Sequence, residues 1–200
     1  MQTILTTEDK AAKPNLRQKA LEYLAKREYS AQELQKKLLQ LAQRHQHQSR
    51  LQQREDEFAG DESAVDIDET LSVETHAEIA QIIADFQQKN WLSDQRFTEQ
   101  IVHARQSKFG TMKIAQELKQ KGVSDTLISD AVQTLKQSEL ENARAVWRKK
   151  FKHAPSDRNE WAKQARFLQS RGYSFEIIKK VISDSNEEWI ASESLGSRFY

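Results

Sequence analysis

The chain has 200 residues, 37% of them apolar and 30% charged, with two prolines, five glycines and no cysteine. A chain of this length can bury a hydrophobic core that is large enough to fold without disulfide bonds. The absence of cysteine excludes disulfide frameworks, thiolate zinc sites and cysteine nucleophiles. Leu, Ala, Gln, Glu, Lys and Arg dominate, so the composition predicts an all-α protein. Because no leader-like or membrane-length apolar run occurs, we expect a cytoplasmic protein.

The formal net charge of +1 conceals an uneven distribution of charge. Residues 11–54 hold ten Lys or Arg and three acids, and residues 79–181 hold nineteen and eleven. Between them, residues 55–78 hold ten acids and no Lys or Arg. A basic body interrupted by an acidic segment predicts an anionic partner, either a nucleic acid or an acidic surface that carries one.

Helical periodicity begins near residue 15 and predicts three helices before residue 92. Ser30 with Glu33 forms a capping box for the second helix, and Thr75 with Glu78 forms one for the third. Six more helices are expected as far as residue 184. Their limits are set by helix-ending or helix-starting residues: Asn90, Gly110, Gly122, Ser138, Pro155 and Gly172.

Three helix junctions share a pattern, in which an aromatic and a small residue precede aliphatic residues four and eight positions after the small one. The three sets are Tyr29-Ser30 with Leu34 and Leu38, Phe109-Gly110 with Ile114 and Leu118, and Tyr173-Ser174 with Ile178 and Ile182. This repetition predicts about nine helices in three tandem three-helix repeats. Stacked repeats would build an elongated, curved body with one continuous thin core.

The predicted organisation follows from these limits. Residues 43–74 lack sustained apolar periodicity, which predicts a disordered acidic insert. The predicted segments are a flexible N-terminus (1–14), the first two helices of repeat 1 (15–42), the insert (43–74), the third helix of repeat 1 (75–91), repeat 2 (92–137), repeat 3 (138–184) and a flexible C-terminal tail (185–200).

The motifs of common enzymes are missing. No glycine-rich nucleotide loop or GxSxG turn occurs, and the five histidines have no partner at a catalytic or metal-ligand spacing. His45 and His47 lie in a Gln-rich stretch, where chance composition explains them best. We therefore expect no catalytic, metal-binding or cofactor-binding residues, and a protein that is not an enzyme.

Basic residues are the candidates for contact with a partner. Several of them fall off the apolar stripes, and Lys36 and Lys180 occupy equivalent positions in their repeats. Solvated lysines would look the same, but the charge excess of residues 79–181 favours a binding role. The predicted partner-binding residues are Lys36, Arg105, Lys108, Lys113, Lys119, Arg148, Lys149, Lys150 and Lys180.

An ordered set of short motifs resembles the RecX regulatory proteins of bacteria and covers most of residues 15–183. The matching stretches are Ala20–Leu24 with Arg27–Leu34, Trp91–Phe97, Phe109-Gly110 with Ile114, Glu117-Leu118 and Lys121–Val123, and Arg148–Phe151 with Arg166–Leu168 and Arg171–Ser174. The insert and the acidic C-terminal end depart from the family pattern, so the resemblance implies nothing about their structure or function.

The resemblance implies three tandem three-helix repeats that bind the RecA filament on single-stranded DNA. It further implies a monomeric, non-enzymatic modulator that inhibits the ATPase, strand-exchange and co-protease activities of RecA. Two alternatives stay open from the residues themselves. One is a helical-repeat protein that binds the DNA or RNA backbone directly, and the other is an enzyme with an unrecognised site.

Overall fold

The structure, a computed structural model, describes residues 14–56 and 71–184, and this part of the chain contains nine helices and no strand. The first unit, which ends at Ser93, contains α1 (Leu16–Leu24), α2 (Ala31–Asp56) and α3 (Val73–Gln88). The second unit, which begins at Asp94, contains α4 (Asp94–Arg105), α5 (Thr111–Gln120), α6 (Asp125–Lys136), α7 (Glu139–Lys150), α8 (Arg158–Ser170) and α9 (residues 175–184). The all-α prediction is confirmed. Among the described helices, none has the length and hydropathy needed to cross a membrane.

The second helix is longer than the sequence predicts. The predicted insert begins at residue 43, whereas α2 continues without a break to Asp56. Residues 43–56 contain neither glycine nor proline and are rich in Gln and Arg, which have good helix propensity, so the helix continues although its apolar period has ended. The middle part of the predicted insert, residues 57–70, lies outside the described residues, as do residues 1–13 and 185–200.

The start of α3 also differs from the prediction. Ser72, not Thr75, is the N-cap, and its Oγ accepts a hydrogen bond from the N–H of Thr75. At the start of α2 the expected cap is present, because Ser30 Oγ accepts from the N–H of Glu33 at 3.1 Å. Ser138 is the N-cap of α7, as its predicted place at a helix start implies, but its hydroxyl makes no capping hydrogen bond.

Three helices end in the same left-handed turn. The residues at positive φ are Asn90 (56°), Gly122 (76°) and Gly172 (85°). In each case the next residue donates its N–H to a carbonyl five positions earlier: Trp91 to Phe86, Val123 to Leu118 and Tyr173 to Leu168. This is the Schellman arrangement, which satisfies otherwise unpaired carbonyls at a helix end. The accepting residues are all buried in the core, so each turn also fixes the helix against its repeat.

Each three-helix repeat has its own apolar core within the described residues. Repeat 1 is centred on Leu34, Leu38, Ile79 and Phe86, repeat 2 on Phe97, Ile114 and Leu118, and repeat 3 on Trp147, Leu168, Ile178 and Ile182. The prediction of one continuous core is therefore wrong. Repeats 2 and 3 meet through backbone and polar groups instead, so their apolar clusters remain separate.

Candidate partner-binding surface

The start of α5 lies directly against the turn that precedes α9. The N–H of Gly110 donates to the carbonyl of Arg171 at 2.9 Å, and the N–H of Met112 donates to the carbonyl of Gly172 at 3.2 Å. A Cβ added to Gly110 would lie 2.4 Å from the Gly172 carbonyl oxygen, and one added to Gly172 would lie 2.4 Å from Cβ of Lys113. Both positions therefore require glycine, because the two backbones touch.

Glu139 reinforces this contact from the first residue of α7. It is buried, and its Oε1 accepts from both the N–H and the hydroxyl of Thr111, at 2.9 and 2.8 Å. The residue before Thr111 is Gly110, which has no side chain to cap α5. A carboxylate at a helix N-terminus satisfies free N–H groups and complements the helix dipole. Repeat 3 thus supplies the cap that repeat 2 lacks.

Arg171 and Lys113 cover aromatic rings on either side of the contact. The Arg171 guanidinium lies 4.9 Å from the ring centroid of Phe167 and 5.7 Å from that of Phe109, and it donates to the Lys108 carbonyl at 3.2 Å. Lys113 Nζ lies 4.8 Å from the Phe109 centroid and donates to the Ser170 carbonyl at 3.1 Å. Both cations donate hydrogen bonds to backbone carbonyls. Because a carbonyl and an aromatic ring carry no net charge, these contacts do not neutralise the positive charge of the two side chains.

Tyr173 is buried beside the same contact. Burial, followed by the nearby charge of Glu139, raises the pKa of the Tyr173 hydroxyl to about 12. The hydroxyl oxygen makes no hydrogen bond to a protein group in the described part of the chain. Tyr173 therefore fills the core of repeat 3 with its ring and stays neutral at physiological pH.

Met112 and Phe175 border this junction and are exposed. Met112, in the first turn of α5, is 63% exposed, and Phe175, the first residue of α9, is 67% exposed. The Phe175 ring is partly covered by Trp161, with 6.4 Å between ring centroids in an edge-to-face arrangement. The described residues 94–184 have no other large apolar residue as exposed as these two.

A second basic surface lies at the C-terminal end of α7. Arg148, Lys149 and Lys150 form its last turn, and all three are exposed. Cations here stabilise the negative end of the helix dipole, which is a structural reason for their presence. Over residues 94–184 there are eighteen Lys or Arg against eleven acids, so the unit keeps a net positive charge after its internal ion pairs are formed.

The other predicted partner-binding residues lie in different settings. Arg105 is engaged within repeat 2, where its guanidinium donates to both carboxylate oxygens of Glu117 at 3.0–3.3 Å. Lys119 is exposed and lies 3.8 Å from Asp125. Lys108 and Lys180 are exposed in the second unit, whereas Lys36 is exposed on α2 in the first unit. The structure thus groups Lys108 and Lys113 at the junction and Arg148, Lys149 and Lys150 at the end of α7.

Comparisons with known proteins place this arrangement in a family. The family model for the second three-helix domain of RecX matches residues 93–132, and the model for the third matches residues 137–182. Regulatory protein RecX of Leptothrix cholodnii is 34% identical over 87% of this chain and 91% of its own length. The chain belongs to the RecX family of regulatory proteins. RecX of Ralstonia nicotianae is 31% identical over 86% of this chain and 89% of its own.

Solved RecX structures share the fold. A crystal structure of RecX from Lactobacillus salivarius has a TM-score of 0.60 at 20% identity and covers 86% of this chain and 94% of that one. Another crystal structure of a regulatory protein RecX has a TM-score of 0.57 at 19% identity and covers 90% of this chain and 80% of that one. The three-helix repeats predicted from the sequence are therefore those of RecX.

Sequence reasoning missed the residues that join repeats 2 and 3. Glu139 was not distinguishable from a solvated acid, because its partner Thr111 is 28 positions away. The one available signal was Gly110, which stands where the other two repeats have the capping residues Ser30 and Ser174. A glycine there indicates that another backbone approaches closely.

Proposed function

We propose that this chain binds the RecA filament on single-stranded DNA and inhibits the ATPase, strand-exchange and co-protease activities of RecA. It acts as a non-enzymatic, cytoplasmic monomer. The observation that carries the proposal is its membership of the RecX family of regulatory proteins over most of its length. A filament on DNA presents phosphates and carboxylates together, and the net positive charge of residues 94–184 suits such a target.

Three exposed lysines offer the contacts that this proposal needs. Lys149, Lys150 and Lys180 form no ion pair with another group in the described ranges. Arg105 is a weaker candidate for a direct contact, because its guanidinium already binds both oxygens of Glu117. We therefore assign the electrostatic part of binding mainly to these three lysines. Arg148, which precedes Lys149, and Lys108 and Lys113 at the junction of repeats 2 and 3 are further contributors.

The test is a titration of the single-stranded-DNA-dependent ATPase of RecA with the full-length chain. We expect ATP hydrolysis to fall as the chain is added, and strand exchange to fall over the same concentration range. Adding the chain before and after the filament assembles separates an effect on growth from an effect on the finished filament. Unchanged ATPase and strand exchange at saturating protein would refute the proposal.

Direct binding to the DNA or RNA backbone is the second candidate function. It is favoured by the exposed run Arg148–Lys150, because closely spaced cations suit a line of phosphates. Affinity for bare single-stranded DNA, compared with affinity for the assembled filament at near-physiological salt, discriminates the two. Stronger binding to the filament supports RecA as the target, whereas equal affinities support a nucleic-acid-binding function alone.

A further inference from the structure

The junction of repeats 2 and 3 carries an exposed apolar pair, Met112 and Phe175. Their chain segments touch, because the N–H of Met112 donates to the carbonyl of Gly172, three residues before Phe175. Trp161 extends the apolar area through its edge-to-face contact with the Phe175 ring. Met112, Trp161 and Phe175 are called the junction patch below. Large apolar side chains that stay in water contribute little to folding, and their clustering marks interaction surfaces.

Cations border the junction patch. Lys113 follows Met112 in α5, and Arg171 precedes the turn that leads to Phe175. Both side chains are held in place by backbone carbonyls, those of Ser170 and Lys108. The N-termini of α5 and α9 also lie here and add partial positive charge.

The nearby acids weaken this positive border only in part. Glu139 is buried and directed at Thr111, where it caps α5. Glu176 is the one acid of the first turn of α9, and it is exposed beside Phe175. Around Met112 and Phe175, Lys108, Lys113 and Arg171 outnumber Glu139 and Glu176, so this part of the border keeps a positive charge.

We propose that the junction patch is the docking point for a protein surface that offers an apolar depression bordered by carboxylates. The inference rests on the proposed function, which makes the protein component of the filament that partner. Exposed Met, aromatic and Arg side chains are typical of the centre of protein interfaces, where a few of them carry most of the binding energy. The flexible Met112 side chain can adapt to an irregular depression.

A protein occupant suits the patch better than a nucleic acid. A phosphate backbone needs cations and gains nothing from an exposed Met. Bases stack on open aromatic faces, but Arg171 lies over Phe109 and Phe167, and Lys113 lies over Phe109. Among the described aromatic rings at this junction, stacking would therefore have to use Phe175, whose ring already contacts Trp161 edge to face. A carboxylate-bordered protein surface uses both the apolar pair and the cations.

The experiment uses the full-length chain with the double substitution Met112→Gln and Phe175→Gln. The matched control is Val73→Gln, which also replaces an exposed apolar residue in the first turn of a helix, in the first unit. Three properties are measured for each protein: the urea unfolding midpoint, inhibition of the RecA ATPase on single-stranded DNA, and affinity for bare single-stranded DNA.

We expect the double variant to keep the wild-type unfolding midpoint and the wild-type affinity for bare DNA. Its concentration for half-maximal inhibition should rise at least about tenfold, the loss expected when central interface residues are truncated, while the control inhibits as the wild type does. Wild-type inhibition by the folded double variant would overturn the docking assignment and leave the proposed function intact. A parallel loss of bare-DNA affinity would assign the patch to nucleic acid instead. A wild-type chain without effect on RecA would refute the proposed function and the partner with it.

Discussion

The carboxylate of Glu139 caps a helix of the preceding repeat by accepting hydrogen bonds from the N–H and the hydroxyl of Thr111. At the equivalent junctions of repeats 1 and 3, Ser30 and Ser174 accept hydrogen bonds from the N–H groups of Glu33 and Ile177. Repeat 2 has Gly110 instead, because the Gly172 carbonyl occupies the space that a side chain would need. The close approach of Gly110 to Gly172 thus removes the local cap of α5, and Glu139 of repeat 3 caps the helix instead.

Replacing Glu139 by Ala should destabilise the protein by about 1 to 3 kcal/mol, because two buried donors lose their acceptor. Glu139→Gln keeps one carbonyl oxygen and should cost less. Urea unfolding of the full chain measures both. The control is Glu141→Ala, which removes an exposed carboxylate from the same helical turn and should change the free energy of unfolding by no more than about 0.5 kcal/mol. Equal effects of Glu139→Ala and Glu141→Ala would contradict the capping role.

Gly110→Ala should also destabilise the protein, by about 1 to 3 kcal/mol, the usual cost of overpacking a tight contact. The backbone at Gly110 is extended (φ −79°), so alanine meets no conformational strain there. The cost then reports the contact, reduced by the lower conformational entropy that alanine gives the unfolded chain. Gly122→Ala is the comparison. It has a positive φ of 76° and should show the left-handed strain of an L-residue, about 1 to 2 kcal/mol. Wild-type stability of Gly110→Ala would show that the two backbones separate easily.

Tyr173 should make the stability of the protein fall at high pH. The pKa of its hydroxyl is about 12 in the folded chain and about 10 in an unfolded chain. The unfolded state therefore loses its proton first, and the stabilisation is complete below about pH 10 and lost as the pH rises towards 12.

The measurement is urea unfolding of the wild type and of Tyr173→Phe between pH 8 and pH 11. Other groups titrate equally in both proteins, so the difference between the two free energies of unfolding isolates Tyr173. We expect the wild type to lose stability relative to the variant only above about pH 10. A difference that does not change with pH would mean that the Tyr173 hydroxyl titrates normally.

Charge reversal of Lys149, Lys150 and Lys180 to Glu should leave the chain folded and weaken its inhibition of RecA. Exposed charge changes typically alter stability by within about 0.5 kcal/mol each. If the lysines bind phosphates of a single strand, the logarithmic salt dependence of binding should also become shallower, by about 0.7 for each phosphate that the variant no longer neutralises. Inhibition and salt dependence are read from the RecA ATPase titration.

The control for this variant is the triple reversal of Lys26, Lys136 and Arg158, which changes the net charge by the same amount at other exposed positions. Lys136 ends α6 as Lys150 ends α7, so the helix-dipole effect is represented in both sets. Equal loss of inhibition in the two triple variants would indicate a non-specific effect of net charge. Full inhibition by the folded first variant would remove Lys149, Lys150 and Lys180 from the interface.

Much of the fold follows from local sequence. Leu34 and Leu38, Ile114 and Leu118, and Ile178 and Ile182 are all buried as the repeat pattern predicts, since one helical face must meet the core. Gly122 ends α5 and Gly172 ends α8 in left-handed turns, because glycine adopts positive φ without steric cost. Helix α2 ends later than its apolar pattern predicts, because loss of apolar period does not stop a helix made of good helix formers.

The helices, their order and the threefold repetition can be predicted from the amino-acid sequence, since these depend on spacing within ten residues or so. The way in which repeats 2 and 3 join depends on tertiary packing, because that junction brings together groups far apart in the chain, such as Gly110 with Gly172 and Thr111 with Glu139. The basic residues show the same division. The number of basic residues can be counted in the sequence, but their partners are set by packing between helices. Arg105 faces a carboxylate, whereas Arg171 faces a backbone carbonyl and an aromatic ring.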